Sequence, residues 1–378
     1  MAVVLILCFG VLLWLPTADH FLKLDYAPQP NENRALAGFP KLTASLDGVH
    51  DFPAGLEAHF RDHFGFRNRL IRWERRWKHD WFKESASPDV FTGQKGWLYF
   101  SGDHMVEHFQ GLKRLSADEL KSWQALLEKR RDWLAQRGIK YIFSIPPDKQ
   151  SIYPERLPEW LAGLQATNKV DQFVAHMKAH STVEVLDLRP VLFAAKTNEC
   201  TFLRTDTHWN TYGGFVAYQA LVNALARQLP GLPPPLQLSD FDISPLRQDG
   251  GDLSRMLATP TAAVETNAFK YILRGSRSRL EVVDVSDRLP QKRRPLTEPK
   301  ATLYDGAPGK AVVFRDSFAG TWYAFLGYHF HEVVYVWQYS WDAAFIEREQ
   351  PMVVIDEMLE RFFSNTDPDK LMEKDALP

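Results

Sequence analysis

Two short stretches, far apart in the chain, contain the residue types that acyl transfer requires. Asp206 and His208 are two residues apart, and Ser317 follows more than one hundred residues later. A serine hydroxyl becomes a good nucleophile only when a base removes its proton, and that base needs a third group to fix its tautomer. We therefore interpret His208 as the base, Asp206 as the orienting carboxylate and Ser317 as the nucleophile.

The elements that would position these residues follow from the apolar pattern. Short apolar runs separated mostly by helical patterns predict strands at 140–145, 183–188, 310–314, 332–337 and 352–355. This alternation predicts an α/β fold with a parallel sheet covered on both faces, in which ligands bind at the carboxyl ends of the strands. Ser317 would stand just beyond the third strand. A predicted helix over 317–330 would offer free N–H groups there to a developing oxyanion.

The remaining pattern places helices and an insertion around this sheet. A helix over 116–138 has a capping signal, Ser116 with Glu119 three residues later. Residues 93–100 predict a turn followed by an aromatic strand. Residues 52–81 have the apolar period of a helix, interleaved with basic residues. Further helices are predicted at 167–180, 211–229 and 357–363. Residues 230–309 lack a clean period and predict a β-containing insertion, with a strand at about 278–285.

The N-terminus differs from the rest of the chain. Ala2 to Leu15 is almost purely apolar, and the first charged residue is Asp19. We predict an N-terminal membrane anchor or signal segment over 1–18. A tether and docking segment would follow over 19–50, and one catalytic domain over 51–378.

Composition narrows the function classes. The formal net charge of −2 argues against a nucleic-acid partner, and Cys8 and Cys200 have no metal-binding spacing. Asp-x-His pairs also occur by chance, and a serine at a helix start is often only a cap. A metal site is the competing hypothesis, because His329 and His331 have strand spacing that would place both rings on one face. The other histidines that could contribute to that site are His104, His108 and His208.

Several short motifs occur in the order found in one known family. They are Asn31-Glu32-Asn33-Arg34, Phe39-Pro40, Gly96-Trp97-Leu98-Tyr99, Pro147-Asp148-Lys149, Ile152-Tyr153-Pro154-Glu155, Asp187-Leu188-Arg189, Asp206-Thr207-His208-Trp209, Gly251-Asp252-Leu253 and Arg315-Asp316-Ser317-Phe318. Together they resemble the alginate O-acetyltransferase family (AlgJ/AlgX-like), a branch of the SGNH-hydrolase superfamily. The resemblance covers about residues 30 to 363.

The resemblance implies an SGNH-hydrolase-like α/β/α sandwich whose motif order is circularly permuted, because Asp and His precede Ser. It implies a periplasmic polysaccharide O-acetyltransferase, tethered to the inner membrane, with Ser317, His208 and Asp206 as catalytic residues. Tyr323 matches an aromatic position thought to contact the polymer, and Arg315 and Trp209 are further candidates for substrate contacts.

The same resemblance implies the partners. They are an exported polysaccharide, a membrane-bound acetyl-donor protein and other export subunits. We predict no cofactor and no metal. Two alternatives stay open: a carbohydrate acetylesterase with the same triad, and a non-catalytic polysaccharide-binding subunit of an export complex.

Overall fold

A mixed β-sheet of seven strands forms the centre of the part of the chain that the structure describes. The computed structural model describes residues 2–24, 36–41, 46–77, 87–257, 264–275, 280–289, 298–375 and 377. The strands are β1 (Val90–Thr92), β2 (Leu98–Phe100), β3 (Lys140–Ile145), β4 (Val185–Asp187), β5 (Phe241–Asp249), β6 (Val264–Leu273), β7 (Glu281–Asp284), β8 (Lys300–Leu303), β9 (Lys310–Arg315), β10 (Glu332–Trp337) and β11 (Val353–Glu357).

The α-helices surround these strands in chain order. They are α1 (Ala2–Leu22), α2 (Leu46–His63), α3 (Arg67–Trp77), α4 (Met105–Phe109), α5 (Ala117–Ala135), α6 (Lys149–Ile152), α7 (Lys169–His180), α8 (Arg189–Ala195), α9 (Thr211–Gln228), α10 (Asp252–Met256), α11 (Ala343–Glu349), α12 (Glu360–Asn365) and α13 (Pro368–Lys374).

The sheet confirms the five predicted strands and their parallel arrangement. Its order is β4-β3-β11-β9-β10-β8-β7, and the neighbours from β4 to β10 pair in parallel. β9 and β11 lie at the centre and are buried along nearly their whole length, as expected for strands covered on both faces. β11 begins at Val353 and continues to Glu357, so the last predicted helix starts later, at Glu360.

Side chains of alternate strand residues enter two separate cores. Val313 of β9 belongs to the core that contains Phe215 of α9, whereas Val312 belongs to the core that contains Trp123 of α5. This alternation is the period-two pattern of a strand. The result is the predicted α/β/α sandwich, with helices on both faces of the sheet.

The predicted insertion over 230–309 is partly built into the sheet. β7 pairs antiparallel with β8, and β8 pairs antiparallel with β10, so two strands of this region extend the parallel sheet. β5 and β6 form a separate antiparallel ribbon. The predicted strand at 278–285 corresponds to β7, and residues 278–279 lie outside the described residues.

The helix that follows Ser317 differs from the prediction. Residues 318–330 contain two 3₁₀-helices, Phe318–Ala324 and Leu326–His329, instead of one α-helix. The Gly320 N–H donates to the Ser317 carbonyl oxygen at 3.1 Å, an i to i+3 hydrogen bond. Gly320 and Gly327 both lower the α-helix propensity of this stretch.

The helical stretch predicted over 52–81 is broken near Gly65. α2 ends at His63 and α3 begins at Arg67, and Phe66 between them has a φ of 59°. A Cβ atom at Gly65 would lie 2.0 Å from the Pro16 carbonyl oxygen, so only glycine allows α1 to approach this closely. Residues 78–81 of the prediction lie outside the described residues.

The capping signal in the sequence is confirmed at the start of α5. The Ser116 hydroxyl accepts from the Glu119 N–H at 3.1 Å, and the Glu119 carboxylate accepts from the Ser116 N–H at 2.8 Å. The domain boundaries predicted at 18 and 50 stay predictions, and residues 25–35 and 42–45 of the predicted tether lie outside the described residues. No helix in the described ranges has both the length and the apolar character that crossing a membrane requires.

Candidate active site

A continuous chain of hydrogen bonds joins the three residues predicted to act together. His208 Nε2 lies 2.7 Å from Ser317 Oγ, and His208 Nδ1 lies 2.6 Å from Asp206 Oδ1. The His208 N–H donates to the same Asp206 oxygen at 3.0 Å, so the carboxylate holds both the ring and its backbone. In this arrangement the imidazole can accept the serine proton while the carboxylate fixes the opposite ring nitrogen as the donor.

The charges in this chain are mutually stabilised. Burial acts against the charge of Asp206, but the hydrogen bonds from His208 hold the pKa of this carboxyl well below its usual range. Burial also acts against the imidazolium, but the hydrogen bond and charge of Asp206, with the charge of Asp252, raise the pKa of His208 above its usual 6.5. The imidazolium is thus stabilised at the moment when His208 takes a proton.

Ser317 owes its position to the sheet. It lies two residues after the end of β9, at the carboxyl edge of the parallel strands, and is half-buried. Asp316 beside it is buried and accepts from the Phe318 N–H at 2.9 Å, the Leu359 N–H at 2.8 Å and the Tyr339 hydroxyl at 2.7 Å. These bonds hold the turn that presents Ser317. Because the Phe318 N–H is used here, the turn has fewer free N–H donors than the sequence predicted.

The Asp206–His208 loop is held from outside by a second carboxylate, that of Asp252. Asp252 accepts from the Thr207 N–H at 2.8 Å and from the Thr207 hydroxyl at 2.5 Å, and it lies 3.8 Å from His208 Nδ1. The Asp252 N–H in turn donates to Asp206 Oδ2 at 3.0 Å. Gly251 makes this approach possible, since a Cβ atom there would lie 2.3 Å from the Asp206 Cβ.

Glu265 of β6 holds the same loop from another side. Its buried carboxylate accepts from the Thr205 N–H and the Thr205 hydroxyl, both at 2.5 Å, and from the Arg204 N–H at 3.0 Å. Sequence reasoning assigned no role to Asp252 or Glu265. Asp252 stood in one of the quoted motifs, Gly251-Asp252-Leu253, whereas no local pattern marks Glu265, which lies sixty residues from its partners.

The three residues predicted to contact substrate lie close to the hydrogen-bonded residues Asp206, His208 and Ser317. Trp209 is 3% exposed, and its indole N–H donates to the Thr321 hydroxyl at 2.5 Å, which joins the loop to the turn after Ser317. Arg315 is also buried and donates to the hydroxyl of the half-buried Tyr323 and to the Asp316 carbonyl oxygen. Trp209 and Arg315 thus direct polar atoms into the protein. The substrate contacts of all three residues stay predictions.

The histidine cluster of the competing metal hypothesis does not form. His329 is buried and bonds to the Tyr218 hydroxyl at 2.6 Å, whereas the His331 side chain is 57% exposed, so the two rings do not share a strand face. Their expected pairing was wrong because His329 ends a 3₁₀-helix before β10 begins. His108 is buried and 3.3 Å from Asn365, and His104 is exposed.

Within the described ranges, one group of carboxylate and imidazole atoms is compact enough to hold a metal ion. It consists of Asp206, His208 and Asp252, whose atoms lie within 4.8 Å of one another. Both ring nitrogens of His208 are already within hydrogen-bond distance of Asp206 and Ser317. This geometry favours activation of a hydroxyl over ligation of a metal.

The site lies within a region that matches a known protein family. A family described as "SGNH hydrolase-like domain, acetyltransferase AlgX" matches residues 90–343, which is more than half of the chain. The chain belongs to this family. The match begins at β1 of this SGNH hydrolase-like domain and includes all three residues of the hydrogen-bonded chain.

Curated relatives match a shorter part of this SGNH hydrolase-like chain. The probable alginate O-acetylase AlgJ of Pseudomonas syringae pv. tomato is 33% identical over 172 residues, which are 45% of this chain and 41% of the relative. The protein of the same name from Pseudomonas aeruginosa is 30% identical over 170 residues, with the same two shares. The matched region therefore spans about two fifths of the length of these relatives.

Solved structures share the fold at low sequence identity. PatB1 of Bacillus cereus has a TM-score of 0.53 and 13% identity, over 74% of this chain and 98% of that chain. A DHHW family protein from Eubacterium siraeum also has a TM-score of 0.53, with 16% identity over 77% of this chain and 99% of its own. These similarities support the SGNH hydrolase-like fold of the chain.

Proposed function

We propose that this protein is a polysaccharide O-acetyltransferase that moves an acetyl group through an acyl-enzyme on Ser317. The observation that carries the proposal is the hydrogen-bonded chain from Ser317 Oγ through His208 to Asp206, with distances of 2.7 and 2.6 Å. Membership in a family described as acetyltransferase supports acyl transfer. The relatives named probable alginate O-acetylase support an alginate-like polysaccharide as the acceptor.

The first half of the proposed reaction forms the acyl-enzyme. Ser317 Oγ attacks the acetyl carbonyl carbon of the donor while its proton passes to His208 Nε2. Asp206 stabilises the imidazolium that results. The Ser317 N–H is the proposed backbone donor to the oxyanion. When the tetrahedral intermediate collapses, the bond to the donor breaks, and His208 returns its proton to the leaving group.

The second half transfers the acetyl group. A sugar hydroxyl gives its proton to His208 Nε2 and attacks the acetyl carbonyl carbon, and Ser317 Oγ leaves and is reprotonated by the same ring. The His208 side chain is 32% exposed, so an acceptor can reach it from solvent. We further propose that the donor is a membrane-bound acetyl-carrying protein, that other export subunits are partners, and that the reaction takes place in the periplasm.

The proposal is tested by comparing acetyl transfer to sugar acceptors between the wild type and a serine variant. Purified protein is incubated with an activated acetyl ester and oligosaccharide acceptors, and acetate and acetylated sugar are measured separately. We expect acetylated sugar from the wild type. For Ser317→Ala we expect a rate lower by at least about 10³-fold, with unchanged circular dichroism.

One control and three outcomes separate the proposal from its alternatives. Ser340→Ala alters another serine beyond the carboxyl end of a sheet strand, and the rate should stay within about twofold of the wild type. Free acetate with no acetylated sugar for any acceptor would identify an acetylesterase. Unchanged turnover in Ser317→Ala would refute the nucleophile, and binding of polymer without any turnover in the wild type would identify a binding subunit.

A further inference from the structure

Lys149 is a buried cation that lies directly behind the loop carrying Asp206. It is the first residue of α6, which follows β3 and two prolines, and it is 3% exposed. Its Nζ donates to the carbonyl oxygens of Leu203 at 3.2 Å, Arg204 at 3.2 Å and Asp206 at 2.6 Å. A protonated lysine has three N–H donors, so each donor has one carbonyl of the loop as its acceptor.

The loop from Leu203 to His208 depends on such bonds. Residues 203–208 form neither a helix nor a strand. They make isolated backbone hydrogen bonds, such as that from the Leu98 N–H to the Arg204 carbonyl oxygen. Carboxylates of Glu265 and Asp252 accept the N–H groups of residues 204, 205 and 207. Lys149 complements these carboxylates, because it donates hydrogen bonds to carbonyl oxygens of the same loop.

We propose that the charged form of Lys149 is a positioning residue that holds Asp206 and His208 in line with Ser317. This inference rests on the proposed acyl-enzyme chemistry. Lys149 acts through the backbone, since its described hydrogen bonds go to carbonyl oxygens of the loop. A shift of about 1 Å in a catalytic group can lower a rate by about 10²-fold. The hydrogen bond from Lys149 Nζ to the Asp206 carbonyl oxygen, at 2.6 Å, is the shortest of the three.

The environment of Lys149 makes its charge sensitive to alkaline pH. The rings of Trp97 and Tyr99 lie 5.6 and 5.2 Å from Nζ. The titratable groups that act on it are Asp206, Asp252, Glu265 and the Cys200 thiol. Burial lowers the pKa of Lys149 to about 8, against the raising effect of these acids.

Loss of that proton should weaken the loop without unfolding the protein. A neutral amine has two N–H donors and a lone pair, so one of the three carbonyl oxygens would lose its donor and face the lone pair. Because the folded pKa is lower than the usual 10.5, burying the ammonium costs stability below pH 8. This cost is relieved as the pH rises from 8 towards 10.5. Positioning and stability therefore change in opposite directions.

Sulfonylation of Ser317 by an arylsulfonyl fluoride measures nucleophile activation without any sugar or acetyl donor. The rate constant, corrected for reagent hydrolysis, is measured by mass spectrometry from the acid side of neutrality up to a pH of about 10. The variants are Lys149→Met, Lys149→Arg and Ser317→Ala. Lys196→Met is the matched control, since Lys196 also donates to a carbonyl oxygen, that of Ile152 at 2.5 Å, and lies 5.1 Å from the Tyr153 ring. Neither partner belongs to the loop 203–208.

We expect Lys149→Met to label about 10²-fold more slowly than the wild type, and Lys196→Met to label at the wild-type rate. Lys149→Arg should recover part of the rate and keep it at high pH, because a guanidinium stays charged. In the wild type, the rate should fall above a pH of about 8 while circular dichroism stays native. This wild-type profile decides the matter if a Lys149 variant does not fold.

Two results would overturn the inference. They are labelling of Lys149→Met within about threefold of the wild type, and a wild-type rate that stays level from pH 8 to about 10. Absence of Ser317 labelling in the wild type contradicts the proposed nucleophile instead. The failure of the positioning role is thereby distinguishable from the failure of the proposed function.

Discussion

The two halves of the candidate site are held in place by different kinds of interaction. Ser317 follows β9, whose side chains fill the cores on both faces of the sheet. The Asp206–His208 half lies in an irregular loop and is held by charged side chains from separate elements, Lys149, Asp252 and Glu265. The strand before the nucleophile therefore shares the stability of the apolar core, and Asp316 holds the turn after it, whereas the base depends on polar contacts from several separate elements.

This difference predicts how each half responds to change. Loss of apolar packing near Ser317 should destabilise the whole domain, because the same side chains form its core. Loss of a polar contact to the loop should mainly disturb the alignment of His208, because the loop contributes less to the core. The predictions below test that contrast, in order of decreasing effect.

Asp206→Asn should have the largest effect on the rate. An amide keeps the shape of the side chain but cannot hold the Nδ1–H tautomer or stabilise the imidazolium, so the rate should fall on the order of 10⁴-fold. Single-turnover acylation of Ser317 by an activated acetyl ester is the measurement. Asp242→Asn, which alters an exposed partner of Arg274, is the matched control and should keep full activity. A loss below tenfold would contradict the orienting role.

Phe314→Ala should reduce stability far more than activity. Phe314 is fully buried in β9, and its ring stacks on Trp341 with a centroid distance of 5.6 Å. Removing such a ring costs about 3 to 5 kcal/mol of unfolding free energy. Denaturant unfolding gives this loss, and the rate per folded molecule in the cold should stay close to that of the wild type. A large loss of rate in fully folded protein would mean that the sheet does not fix Ser317 by itself.

Glu265→Gln should reduce activity more than stability. The substitution places an amide NH₂ group where a carboxylate oxygen now accepts an N–H, either from Arg204 or from Thr205. We expect a loss of about 10 to 100-fold in the acylation rate, by analogy with residues that orient a ligand through another group. Glu349→Gln removes a buried carboxylate bonded to Lys310 instead, and should cost stability alone. Equal rates in both variants would contradict the contrast between the two halves.

Asp252→Asn should shift the pH profile of the reaction. His208 must be neutral to act as a base, and its pKa is raised above 6.5, in part by the charge of Asp252. Removing that charge lowers the pKa of His208, so the acid limb of the acylation rate should move to lower pH. Asp342→Asn, at the start of α11, is the control. A limb that stays in place or moves to higher pH would contradict this assignment.

The sequence by itself determined the main fold and the residue types of the candidate site. Continuous apolar runs such as 310–314 predicted the buried parallel strands, because a strand covered on both faces needs apolar side chains at nearly every position. The Ser116 and Glu119 pair predicted the start of α5, because capping depends on residues three apart. The position of Ser317 after a strand also followed from local pattern.

Tertiary structure alone decided the contacts that hold the loop. The bonds from Lys149 and Glu265 to residues 203–206 join parts of the chain more than fifty residues apart, and no local period records such pairs. The same applies to the 3₁₀ turns after Ser317 and to the separation of His329 from His331. Local pattern encodes which segments are buried, whereas the alignment of His208 with Ser317 depends on polar partners that only the folded chain brings together.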